Sequence, residues 1–210
     1  MLKLYYALGA CSLAPHIVLE EAGADYELVR LDLSAGEQRK PEYLRINPKG
    51  RVPALLTDRG ALTENPAILG YVAEAFPAAK LAPLDDSFAF GDMQAFNMFL
   101  AATVHVAFSH LSRPERYAEG EVATAAMKAR APKALKEYFS LVEAKLADGR
   151  TWVHGENYTV SDPYLFLFSG WLKRDGLADP EIFPRTLAHW ERVAARPAVR
   201  KVLADETGQA

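Results

Sequence analysis

The spacing of apolar and polar positions changes character along the 210 residues, and each change predicts a different element. Leu2-Lys3-Leu4-Tyr5-Tyr6 reads as a short buried strand. Ser12 offers an N-cap for a helix over residues 13–22, in which Leu13, Ile17 and Leu19 set an apolar side against Glu20. Pro15 is tolerated there because it falls in the first turn, and Gly23 ends the helix as a glycine past a C-terminus does. Tyr26 to Leu33 alternates, which is strand period. Strand, helix and strand with short links predict a βαβ unit with parallel strands. A polar helix-or-loop stretch, Ser34 to Asn47, follows. Val52 to Thr57 and Ala61 to Thr63 then flank Asp58-Arg59-Gly60, a hairpin signal, and a helix is predicted from Asn65 to about Phe76.

Pro77 and Pro83 bracket a stretch that discourages continuous helix and reads as a linker. Beyond it strand signals vanish, and residues 86–111, 121–147, 161–174 and 184–196 all read as helices. Thr159-Val160-Ser161-Asp162 has capping-box spacing, with Asp as a shorter arm than Glu, and is read as a structural cap. The prediction is therefore an α/β domain over residues 1–77, a linker over 78–85, and an all-helical domain over 86–210. The order βαβ then ββα resembles that of a thioredoxin-like domain.

Composition adds mainly exclusions. Half the residues are hydrophobic and 24% are charged, as in ordinary globular proteins. The net charge of −3 supplies no basic field for nucleic acid or an acidic membrane. The single cysteine, Cys11, rules out a disulfide within the chain and a cysteine zinc cage, and fits a reducing compartment. The most apolar stretch, Phe96 to Phe108, is interrupted by Asn97, Thr103 and His105 and is too short to cross a bilayer. Met1 leads straight into strand pattern, with no basic, apolar and cleavage regions in succession. A cytoplasmic protein without membrane or nucleic-acid partners is the expectation.

Four places can carry chemistry. Cys11 falls between a strand end and a helix start, where unpaired N–H groups and the helix dipole favour a thiolate below its reference value of ~8.5; the alternative is an inert buried cysteine. Ser12 beside it can donate to a ligand sulfur or simply cap the helix. Val52-Pro53 opens a strand with a residue that cannot donate to the ladder; in cis it leaves the Val52 backbone open to an extended peptide, in trans it is an ordinary strand start. Glu64-Asn65 heads a helix and can hold an ammonium and a carboxylate, or be a plain capping pair. His105 lies among apolar neighbours, the setting of a core histidine. His110, five residues on, shares no face with it, and no metal pair is expected.

Taken in order, Gly9-Ala10-Cys11-Ser12-Leu13-Ala14, Asn47-Pro48-Lys49-Gly50-Arg51-Val52-Pro53-Ala54-Leu55, Leu62-Thr63-Glu64-Asn65-Pro66-Ala67-Ile68 and the run from Gly155 to Asp162 make the chain resemble a cytosolic glutathione transferase, most of all the bacterial beta class. The resemblance covers nearly the whole chain. It implies that the N-terminal domain binds glutathione as co-substrate, with no metal, and that the helical domain forms the pocket for a small hydrophobic electrophile. It further implies that Cys11 contacts the glutathione sulfur and can form a mixed disulfide with it. Val52 would pair with the cysteinyl backbone ahead of a cis Pro53, Glu64 and Asn65 would hold the γ-glutamyl end, and His105 would face the sulfur. Phe108, His110, Leu111, Tyr117 and Trp171 are the candidate pocket residues, and a homodimer is expected. The chain departs from the family in lacking a lysine near Ala35-Gly36, leaving Arg39 or Lys40 for the glycyl carboxylate, and in carrying Met98 and Thr103 where polar and acidic side chains are usual. Conjugation in the service of detoxification is the first expectation. A glutaredoxin-type thiol–disulfide oxidoreductase with Cys11 as its single redox cysteine, and a non-catalytic binder of small hydrophobic ligands, are the alternatives.

Overall fold

Strand period and helix period separate in space as they do in sequence. The structure, a computed structural model, describes residues 1–207. Its strands are β1 (Leu2–Tyr6), β2 (Tyr26–Arg30), β3 (Ala54–Thr57) and β4 (Gly60–Thr63). Its helices are α1 (Leu13–Glu21), α2 (Pro41–Leu44), α3 (Asn65–Ala75), α4 (Ser87–Phe99), α5 (His105–Ser112), α6 (Glu121–Lys145), α7 (Ser161–Arg174), α8 (Pro184–Ala194) and α9 (Pro197–Thr207). Packing divides the chain into two compact units, one made of Met1–Gly91 together with the chain from Val193 onward, the other of Asp92–Arg192.

In the first unit the sheet order is β2-β1-β3-β4. β1 and β2 are parallel, with Leu4 opposite Leu28, as the βαβ reading requires. β3 runs antiparallel to both β1 and β4, placing Leu55 opposite Leu4 and Leu62. Leu4, Ile17, Val18, Leu55, Ile68, Leu69 and Val72 are fully buried, so α1 and α3 cover the sheet with their apolar sides. Burying each such side chain contributes roughly 1.5–3 kcal/mol. The fold is thus the thioredoxin-like α/β arrangement followed by helices.

Three readings are revised. The second strand ends at Arg30, three residues early; Asp32 instead accepts hydrogen bonds from the Ser34 and Ala35 N–H groups, which turns the chain. Ser12 heads α1 without capping it through its side chain. Its hydroxyl accepts from the Ala7 N–H (3.1 Å) and donates to the Ala7 carbonyl (3.2 Å), tying the loop after β1 to itself. The chain end, assigned by sequence to the helical domain, forms α9 and packs on α1. There the buried His16 Nδ1 lies 3.0 Å from Glu206 Oε1, Arg196 makes two bonds to Glu21 (2.5 and 2.8 Å), and Lys201 reaches Glu20 (2.6 Å). The Arg196-Pro197 step reads as a helix end in sequence, and it is one, but a second helix starts at once.

In the second unit, α4 passes into α5 through a π-helical segment, Leu100–Val104, so the predicted single helix is one rod with a widened turn. α7 is the central helix, with Leu165, Phe168 and Leu172 fully buried. Its cap exceeds the expected box. Asp162 Oδ2 accepts from the Thr159 N–H (2.7 Å) and hydroxyl (3.3 Å), while Oδ1 accepts from the Val153 N–H and His189 Nε2, both at 2.9 Å. The Thr159 hydroxyl takes the Ser161 N–H, not that of Asp162. Among the described residues no helix is long and apolar enough to cross a membrane.

His154 carries a pH dependence. Burial, reinforced by the Lys145 ammonium, holds its imidazole below the ordinary value of 6.5, against the pull of Asp92. Above that pH the ring is neutral in folded and unfolded chain alike. As pH falls below it, the unfolded chain takes up a proton that the folded one resists, so stability declines until the folded pKa is passed. Thermal melts between about pH 8 and about pH 5 should therefore show a smaller loss of midpoint in His154→Asn than in the parent; an equal loss would reject the assignment.

Candidate glutathione site

The N-terminal candidates converge because strand direction brings them to one end of the sheet. β1 ends at Tyr6, β3 begins at Ala54 beside Tyr5, and β4 ends at Thr63 beside Ala54. The loop after β1, the approach to β3 and the start of α3 therefore meet. Cys11 Sγ donates to the Val52 carbonyl at 3.4 Å, and the Asn65 amide donates to the Cys11 carbonyl at 3.0 Å. The Val52–Pro53 bond is cis. Ahead of it the Arg51 carbonyl accepts from Tyr43 Oη (2.6 Å) and Asn47 Nδ2 (2.7 Å). Gly50 has φ +59, and a Cβ there would meet Arg39 Nη1 at 2.8 Å and the Gln38 carbonyl at 2.9 Å. Only glycine fits that approach.

Glu64 occupies the corner between β4 and α3 with φ 72 and ψ 123, a conformation a side-chain-bearing residue rarely takes. Its carbonyl nevertheless accepts the first helical bond, from Ile68 (3.0 Å). Its carboxylate is exposed and pairs with Lys49, Nζ to Oε1 2.6 Å, while the same ammonium donates to Thr63 Oγ1 at 2.9 Å. Lys49 was not singled out by sequence; its membership of the same motif as Val52-Pro53 was the available signal. Asn65 is buried and ties α3 to the Cys11 turn. Of the two candidates for the glycyl carboxylate, Lys40 is paired with Glu37 (3.1 Å), whereas Arg39 lies over Gly50 beside the Arg51-Val52 step.

Cys11 departs from the thiolate expected at a helix start. It is partly buried, and loss of solvent pushes its thiol up to about 11, with the Asn65 amide the main group pulling the other way. Desolvation outweighs the helix terminus, and the S–H group has an acceptor in the Val52 carbonyl.

The remaining candidates lie in the second unit. His105 follows the π segment and packs edge-on against Trp171 (5.3 Å between ring centroids) and tilted on Phe168 (5.4 Å). Phe108, named as a pocket residue, is 2% exposed and stacks on Phe168, which makes it core: its neighbours Phe139 and Trp171 close round it. Trp171 and Leu111 are partly buried, and His110 meets Tyr117 edge to face at 4.5 Å. Met98 is exposed. Sequence reasoning passed over one further constellation in this unit. Asp92 Oδ2, His154 and Ser161 Oγ follow one another at 3.1 and 3.0 Å, the order of an acid–base–nucleophile triad. Ser161 is fully buried, begins α7 and donates to Asn97 Oδ1 at 2.8 Å, so no substrate can reach its oxygen and the chain is structural. Among the described residues no group of three or more metal-binding side chains comes together.

A four-stranded α/β domain followed by helices, with a cis-proline corner at one end of the sheet, is the thioredoxin-like class of fold expected of a glutathione transferase, and the fold can be compared with known proteins. The model of the glutathione S-transferase N-terminal domain matches residues 1–74, and that of the C-terminal domain matches residues 93–197. Glutathione S-transferase GstA of Escherichia coli O157:H7 is 35% identical, over 98% of each chain. A glutathione transferase homologue from Sulfitobacter, solved with bound glutathione, superposes with a TM-score of 0.91 at 39% identity over 98% of each chain. A beta class enzyme of Sphingomonas chungbukensis gives 0.84 at 37%, over 97% of this chain and 98% of that one. The chain belongs to the glutathione S-transferase family and is an enzyme of that kind.

Because Cys11 is the sole cysteine, its titration can be read directly. Alkylation by iodoacetamide should keep accelerating through pH 9 and reach half its limit near pH 11. A plateau reached below about pH 8.5 would show that the helix terminus, not burial, governs the thiol.

Proposed function

We propose that the protein conjugates the thiolate of glutathione to small hydrophobic electrophiles. The observation that carries this reading over its redox alternative is the Cys11 thiol: protonated at neutral pH and already a donor to Val52, it is poised to give a hydrogen bond rather than to attack. In the proposed reaction glutathione yields its thiol proton to solvent, its sulfur forms a bond to an electrophilic carbon, and the leaving group departs with its electron pair. A donor to the sulfur favours the thiolate and so lowers the barrier. Cys11 is the proposed first donor, and His105, on the strength of the family resemblance, the second.

The rest of the tripeptide is assigned in the same way. Val52 takes the cysteinyl backbone beside Pro53, Glu64 the γ-glutamyl ammonium, the α3 N-terminus with Asn65 the adjoining carboxylate, and Arg39 the glycyl carboxylate. The bound glutathione of the Sulfitobacter relative supports a tripeptide site of this kind. His110, Leu111, Tyr117 and Trp171 are the proposed electrophile contacts. A homodimer and a role in detoxification are part of the proposal and rest on the family alone; a place in the cytoplasm is proposed with them and fits the single cysteine.

Calorimetry should show saturable glutathione binding that Glu64→Ala weakens by about two- to ten-fold, less than a full charge-assisted hydrogen bond because Lys49 already pairs with that carboxylate. No heat at millimolar glutathione would refute the site. The two chemistries separate at Cys11→Ala. Conjugation should survive in part, because the attacking sulfur belongs to glutathione, while any reduction of glutathione mixed disulfides should vanish with the only cysteine. Complete loss of conjugation together with a robust parental disulfide reduction would favour the oxidoreductase instead.

A further inference from the structure

Lys49 pairs with the carboxylate to which the ligand's ammonium has been assigned. Its Nζ lies 2.6 Å from Glu64 Oε1 and 2.9 Å from Thr63 Oγ1, so one internal cation already pairs with the helix-start carboxylate. Asn47 fixes the loop around it. The Lys49 N–H donates to Asn47 Oδ1 (3.2 Å), the Gly50 N–H to the Asn47 carbonyl (2.9 Å), and the same Asn47 amide holds the Arg51 carbonyl (2.7 Å). The segment that positions Val52 therefore also positions Lys49.

We propose that Lys49 tunes selectivity for the γ-glutamyl ammonium downward, as an internal cation that competes with it at Glu64. The inference rests on the glutathione reading above and goes beyond it. Two ammonium groups on one carboxylate repel each other even on separate oxygens, so the second binds more weakly than it would alone. A ligand carrying its own ammonium exchanges one ion pair for another. A ligand lacking it leaves Lys49 in place and gains nothing at Glu64. Lys49 thereby weakens glutathione binding slightly, and its hold on Glu64 must fade as salt screens an exposed pair.

The test is calorimetric titration of the parent, Lys49→Met and Lys49→Arg with glutathione and with its deaminated analogue, in which a glutaryl group replaces γ-glutamyl. Lys49 is half exposed, so neither substitution threatens folding. Lys49→Met should bind glutathione about two- to five-fold more tightly at low ionic strength, the scale of one exposed ion pair, and the gain should shrink at high salt. It should bind the deaminated analogue no more tightly than the parent does, and Lys49→Arg should stay near the parent for both. Unchanged or weakened glutathione binding in Lys49→Met, while the parent still binds, overturns the competition; weakening in particular would mean that Lys49 moves onto the ligand carboxylate. Absence of glutathione binding in the parent would overturn the functional reading itself, and the inference with it.

Discussion

The Arg51 carbonyl is the fixed point of the first unit. Two side-chain donors, Tyr43 Oη and Asn47 Nδ2, converge on it, and neither is free to leave: Tyr43 is 3% exposed and Asn47 1%. Breaking either bond leaves a buried polar group unpaired, at a cost of about 1–3 kcal/mol. With that carbonyl held, the next peptide presents the Val52 carbonyl toward Cys11, and Lys49 on the other side is aimed at Glu64. Gly50 lets Arg39 close over the same loop. The candidate subsites for the two ends and the middle of a tripeptide are thus set by one backbone atom and the side chains that grip it.

Asp162 is the counterpart in the second unit. One buried carboxylate collects donors from Val153, Thr159 and His189 and so joins the turn before α7, the start of α7, and α8. Removing it would strand several buried donors at once, a loss of the class worth roughly 3–5 kcal/mol. The contrast between the two anchors is chemical. The first uses neutral donors on a carbonyl and leaves a neighbouring carbonyl and carboxylate available for exchange; the second is a buried carboxyl whose oxygens are both taken by donors of the fold.

Where periodicity and special residues agree, the chain could be read in advance. The parallel β1–β2 pair, the Asp58-Arg59 hairpin and the start of α7 follow from alternation, turn chemistry and a cap. The residues from Cys11, Val52-Pro53 and Glu64-Asn65 do gather at one end of a sheet. What escaped was decided by long-range partners. α9 is short and begins right after α8, so only its contacts with His16, Glu20 and Glu21 reveal why it belongs to the first unit. Ser12 has the identity of a cap but spends its hydroxyl on Ala7. Lys49 looks like a solvated loop lysine until Thr63 and Glu64 are seen beside it. Phe108 was named a pocket residue on the family resemblance, yet an aromatic cluster closes over it.

Cys11 shows how position and environment can oppose each other. A helix start offers at most a modest electrostatic gain to a thiolate, largest where the terminus faces water. Burial penalises the charged form directly, and here the S–H group has a carbonyl to donate to, which stabilises the neutral form further. The balance lands on a thiol. A thiol that stays protonated at neutral pH is a weak nucleophile but a serviceable donor, and a ligand thiolate is a better acceptor than a backbone carbonyl. In the proposed reaction the S–H therefore exchanges Val52 for the glutathione sulfur, and Val52 becomes available to the ligand backbone at the same moment. The exchange couples occupation of the peptide subsite to activation of the sulfur, so the side chain least suited to act as a nucleophile is well suited to support one.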